Sequence, residues 1–142
     1  MTTLIFNRDD ELAAWAEAEY PDCAPLARPL TSIGIQSNDG ELLGVVFYHD
    51  FRYHDVEVSV ITATPRWATP GNIRAILHYP FIQRGVKRMT ARTPKKNGHA
   101  RKMLEGLGAV LEGVHPYGDG GIGKSCTYGL YRDVAIKKWS LE

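Results

Sequence analysis

The chain is 142 residues long, 44% hydrophobic and 23% charged, with a net charge of +1, which fits an ordinary soluble globular protein with one sizeable core. That balance excludes a global electrostatic pull toward nucleic acid or membranes, and no apolar run approaches the roughly 18 residues of a transmembrane helix. Two cysteines, Cys23 and Cys126, do not make a disulfide framework, and the start of the chain lacks a signal peptide's basic and apolar blocks, so a cytoplasmic location is expected, for a cellular or a viral protein alike.

With no repeat, low-complexity tract or linker, a single domain over residues 1–142 is expected. Asp9-Asp10-Glu11 opens a helix to about Tyr20, its acids at the end where the helix dipole favours them. Pro21, Pro25 and Pro29 then interrupt regular structure. Strands over Ser32–Ser37 and Leu42–Tyr48 flank Asn38-Asp-Gly-Glu41, a strong hairpin signal. Val56, Val58 and Val60 alternate with Glu57 and Ser59, so Val56–Ala63 reads as a third antiparallel strand.

Gly71 to about Gln83 reads as a helix with Ile73, Ile76, Leu77 and Phe81 on one face, kinked or shortened by Pro80. Lys87–Thr93 follows as a strand, Gly98–Leu107 as a helix and Val110–Tyr117 as a strand. Gly118–Gly123 is a loop, and Cys126–Tyr131 completes the sheet. From Val58 to Leu104 no residue is acidic, and ten are Lys or Arg: Arg66, Arg74, Arg84, Lys87, Arg88, Arg92, Lys95, Lys96, Arg101 and Lys102. The window is either a solvated basic face or a site for a polyanion.

At the third helix-forming stretch, Asn97 is followed by Ala100, then by Met103 and Leu104 a turn later, then by Leu107-Gly108. This spacing resembles the Asn-x-x-Ala-x-x-Leu-(Tyr)-x-x-x-Gly-Phe signature of the GNAT superfamily of N-acetyltransferases. Ala109 stands where the family usually has Phe, and Leu104 where many members carry a catalytic Tyr. The resemblance spans roughly residues 30–133. It implies an α/β fold, a mixed, mostly antiparallel twisted sheet flanked by helices, and acetyl-CoA as acyl donor.

By that resemblance, the backbone of the strand holding Val60, Ile61 and Thr62 would pair with the pantetheine amides. The turn Arg66-Trp-Ala-Thr-Pro-Gly71-Asn72 would cradle the pyrophosphate at a helix N-terminus. Arg66 could begin the family's Gln/Arg-x-x-Gly-x-Gly/Ala motif, and Gly71 falls on its last position. Thr69 replaces the first glycine, and Pro70 removes one donor. The Pro-Arg-Trp-x-Thr shape resembles the loop of some phage-encoded relatives of the ribosomal-protein N-terminal acetyltransferases. Asn97 and Ala100 would lie beside the cofactor arm, although Asn97 also makes a good helix cap. Arg101 and Lys102 either reach the CoA phosphates or are merely exposed.

The reaction so implied is direct attack of a neutral primary amine on the thioester, with a base to take the ammonium proton and an acid for the departing thiolate. Glu57 is the first candidate base; Asp55, His49 and His54 are others, and a solvent-facing strand residue is the plain alternative for Glu57. Tyr117 and Tyr128 are candidate acids, or packing residues, from the last two strands. Cys126 reads as a buried small residue.

No metal site is expected, because His49 and His54 lack zinc spacing. Gly118-Asp-Gly-Gly-Ile-Gly-Lys-Ser125 satisfies the P-loop pattern, but a strand rather than a helix follows it. The partners expected are acetyl-CoA and an amine acceptor, with no membrane; nucleic acid and a second copy of the chain stay open. The rival readings are a nucleic-acid-binding or base-modifying protein on the same fold, and a module that has lost turnover.

Overall fold

A computed structural model describes residues 1–142. In chain order the elements are β1 (Thr2–Ile5), α1 (Asp9–Glu19), β2 (Leu30–Ser37), β3 (Leu42–Arg52), β4 (Asp55–Thr62), α2 (Pro70–His78), β5 (Arg88–Pro94), α3 (Gly98–Leu107), β6 (Val110–His115), β7 (Ser125–Tyr131) and α4 (Arg132–Trp139). The seven strands form one sheet in the order β1-β2-β3-β4-β5-β7-β6. Every neighbouring pair is antiparallel except β4 and β5, which run parallel. No helix is long and apolar enough to cross a membrane.

Alternation along the strands sends side chains to two faces. Val46, Tyr48, Val56, Val58, Tyr128 and Leu130 build the larger core with Ile73, Ile76 and Leu77 of α2 and Ala135 of α4. Met103, Leu104 and Leu107 of α3 pack against the same core. Val45 and Phe47 face the other way, onto Leu12, Ala13 and Ala16 of α1. Each fully buried side chain of this size stabilises the fold by about 1.5–3 kcal/mol. The buried Tyr48 hydroxyl donates to the Ile76 carbonyl at 2.7 Å, tying β3 to α2.

The β2–β3 hairpin turns at Asn38–Gly40, with Gly40 at φ +90°. The helix expected over Gly71–Gln83 stops being α-helical at His78 and continues through Tyr79–Gln83 as a π-type turn. Pro80, which lacks an N–H, lies in that wider turn. α3 occupies Gly98–Leu107 and closes at Gly108 (φ +107°), a left-handed cap that glycine takes freely.

Two expectations need correction. β1 and α4 flank the expected elements at either end of the order. The strand expected to reach Tyr117 ends at His115, so Tyr117 sits beyond it in a turn at φ +58°, 74% exposed. The run Gly118–Ser125 leads into β7, as its sequence implies, so no helix N-terminus meets it.

Candidate active site

The parallel seam between β4 and β5 is short. Asp55, Val56, Glu57 and Val58 pair with Arg88, Met89, Thr90 and Ala91, and there the ladder stops. Beyond it Ser59–Thr62 stay paired to β3 alone, and Arg92–Pro94 to β7 alone. A row of β4 backbone groups therefore faces an opening in the middle of the sheet. Val60 packs into the larger core and Ile61 against the smaller, so both side chains leave the opening to the backbone. Thr62 is exposed.

The start of the seam is clamped. Thr90 donates to Asp55 at 3.0 Å, Arg88 donates to Thr90 at 3.2 Å, and Arg88 pairs with Glu112 of β6. The Tyr131 hydroxyl also donates to Glu112. The Arg88 guanidinium, and then the Tyr131 hydroxyl, hold the Glu112 carboxyl below the usual range; Glu112 in turn raises Arg88. One end of the seam is thus stapled by charge while the other parts.

Each parting strand feeds a helix whose N-terminus lies at that end of the sheet. In α/β architectures, ligands settle outside the carboxyl ends of parallel strands, where helix N-termini offer free amides to anions. At α2, the Thr69 side chain accepts from the Asn72 amide at 3.2 Å, and Pro70 has no amide. The Gly71 N–H has no partner within the protein. A Cβ added at Gly71 would meet nothing within 4 Å, so no protein atom demands a glycine there, while a ligand's close approach would.

Asn72 itself is buried, and its amide donates to Thr2 and to the Trp67 carbonyl, both at 2.9 Å. Its side chain is committed to holding the preceding turn. Arg66 is exposed beside Glu41, at 3.3 Å.

At α3, Asn97 caps the helix by accepting from the Ala100 amide at 3.2 Å. Arg101 donates from Nε to the Tyr128 hydroxyl at 3.0 Å and from a terminal nitrogen to the Lys95 carbonyl at 3.3 Å. The same hydroxyl donates to Glu105 at 2.9 Å. Burial pushes the Tyr128 phenol up; Arg101 opposes that shift and Glu105 adds to it. Tyr128 thus reaches α3 from the strand side, while Leu104 packs on the core.

On the α1 face, Glu57 is partly buried, 3.9 Å from Arg92. Across the β3–β4 ladder it stands opposite His49, and Ser59 opposite Phe47. The buried His49 ring contacts Asp50 Oδ2 through Nδ1 and Ser59 Oγ through Nε2, each at 3.1 Å. Ser59 lies outside the sequence-based candidates, although its alternation with Glu57 marks the shared face. Tyr117 is in the exposed turn. Of two surface cavities, one of about 570 Å³ lies at the start of α1, and one of about 300 Å³ is lined by Thr2 and by Arg66 and Thr69 of the turn before α2.

No known family description matches the sequence, and no curated protein does. Solved structures do match. Mutant forms of the spermidine/spermine N-acetyltransferase SpeG from Vibrio cholerae align over 97% of this chain and 99% of theirs, with a TM-score of 0.75 at 14% identity. The ribosomal-protein-S5-alanine acetyltransferase from Vibrio fischeri aligns over 93% of each chain, with a TM-score of 0.72 at 13% identity. The chain shares the fold of these two acetyltransferases. The mixed, mostly antiparallel sheet with flanking helices is the architecture the sequence implies.

Proposed function

We propose that the chain is an acetyl-CoA-dependent N-acetyltransferase that acylates a primary amine by direct attack, working as a single domain. The observation that carries this reading is the parting of β4 from β5 after Val58, with a helix N-terminus at each parting strand. Unpaired β4 backbone suits a ligand rich in amides. The Gly71 amide, Arg66 and Arg101 suit its phosphates. Bound acetyl-CoA supplies the activated acyl group; the residues of the chain bind it, orient it and move protons.

The backbone of Val60, Ile61 and Thr62 holds the pantetheine arm, and Asn97 and Ala100 present the first turn of α3 beside it. The Asn72 side chain, already engaged, supports the turn rather than the ligand. Glu57 takes the ammonium proton from the acceptor on the α1 face, with Arg92 fixing its carboxylate. Tyr128 is the acid for the thiolate, poised by Arg101 and Glu105; Tyr117 is given no part. The two neighbours named above act, by their descriptions, on a polyamine and on a protein, both amine acceptors. A cytoplasmic enzyme, of a phage host if the chain is viral, fits the sequence.

Calorimetry with acetyl-CoA tests this directly. Micromolar binding, weakened by Asn97→Ala or Arg66→Ala, is expected; no binding would overturn the reading. With an acceptor in hand, Glu57→Gln lowers kcat by about 10²-fold or more, because a positioned base contributes that much. Unchanged kcat in Glu57→Gln would remove Glu57 as the base.

A further inference from the structure

Beyond amine acylation, we infer that Ser59, His49 and Asp50 form a nucleophilic triad that lets the cleft hydrolyse acyl thioesters and small activated esters through an acyl-serine. With a neutral ring, the two hydrogen bonds of His49 run in one direction. Asp50 is a carboxylate and can only accept, so Nδ1 carries the imidazole proton. Nε2 of the neutral ring is then a lone-pair acceptor, and Ser59 Oγ donates to it at 3.1 Å. An orienting acid, a base and a hydroxyl in series are the parts that nucleophilic catalysis by serine requires.

Three features set this chain of groups apart from a core histidine that has merely found partners. Ser59 is the first residue past the last β4–β5 pair, so its hydroxyl lies at the mouth of the opening and is half-buried rather than sealed. His49 is only 6% exposed, so its ring is fixed in place between Asp50 and Ser59. Asp50 is held at φ +53°, a left-handed conformation unusual for a residue with a side chain, at the register shift between His49 and Arg52. Bulges of this sort re-aim side chains, and here the shift brings the carboxylate of Asp50 back to its neighbour's ring.

The chemistry balances without any further reagent than water. Ser59 Oγ bonds to the acyl carbon as the C–S bond breaks; the Ser59 proton passes to His49 Nε2 and from there to the departing thiolate. Water then attacks the acyl-serine ester. His49 takes the water proton and returns it to Ser59 Oγ as the ester C–O bond breaks, releasing the carboxylic acid.

The test uses two probes that do not need the CoA slot: an alkyl fluorophosphonate, read by peptide mapping, and p-nitrophenyl acetate, read by nitrophenolate release and intact mass. One fluorophosphonate adduct at Ser59 and nitrophenolate release that continues beyond one equivalent per chain, through an acetyl adduct seen by mass only in passing, are expected, both lost in Ser59→Ala. His49→Asn should slow labelling by about 10²-fold or more, and Asp50→Asn, whose side chain is at the surface, should slow it in the same sense. No adduct at Ser59, or labelling indifferent to both His49→Asn and Asp50→Asn in variants that melt as the parent does, would overturn the triad. Acetyl-CoA binding without Ser59 labelling would sink the triad and leave the transferase standing. Ser59 labelling without acetyl-CoA binding would do the reverse.

Discussion

At the scale of single residues, two groups outside the opening hold it in shape. Asn72 joins α2 to β1 through Thr2 and to the preceding turn through the Trp67 carbonyl. Replacing it by Ala leaves buried polar groups without their partner. Asn72→Ala should therefore cost about 1–3 kcal/mol in a denaturant melt, without altering the residues at the mouth. Glu112 acts through charge. Its carboxyl is lowered in the folded state by Arg88 and Tyr131, so it binds protons less readily there than in the unfolded chain. Its contribution is complete above the ordinary carboxylate range and is lost as pH falls through the lowered folded value. Glu112→Gln should accordingly melt below the parent at pH 7, with the gap narrowing on acidification below about pH 4. A gap that widens toward acid would contradict the clamp.

Among the elements, the β4–β5 seam makes a separate prediction. Amide exchange at Ser59–Thr62 should be faster than at Val56–Val58 on β4, because those residues lack a second neighbouring strand. Saturating acetyl-CoA should slow it; equal protection along all of β4 would mean the seam is closed in solution. Much of this architecture is legible in the sequence. The Asn38–Gly40 turn has its own chemistry, the alternation of Val56, Val58 and Val60 sets the strand face, and α3 carries both a cap at Asn97 and a stop at Gly108. The missed elements lack such local signals. β1 is four residues held by pairing with β2, and α4 is held by Ala135 in the core and the Trp139 indole donating to the Leu107 carbonyl. The Ser59–His49–Asp50 chain was hidden for a related reason: His49 and Ser59 come together only through hairpin register, and Asp50 only through the register shift that follows.

For the molecule as a whole, the ten-cation window looks different once folded. Arg66 pairs with Glu41, Arg88 with Asp55 and Glu112, and Arg92 with Glu57. Arg84 lies over the Phe51 ring, 3.7 Å from its centroid, and Arg101 is engaged by Tyr128 and Lys95. The acids absent from the window in sequence return to it in space, so the fold does not present ten free cations to a phosphate backbone. The logarithm of nucleic-acid affinity falls with the logarithm of salt in proportion to the phosphates neutralised, at about 0.9 per contact on duplex DNA. For this chain, duplex binding should be weak, with a slope of magnitude no greater than about 4.5, the most that the five remaining cations could give. Acetyl-CoA affinity should fall modestly over the same salt range, since its phosphates meet a few local donors. A steep duplex slope with tight binding would show that partners bound in the free protein release their arginines to DNA, and the basic window would then become the functional surface.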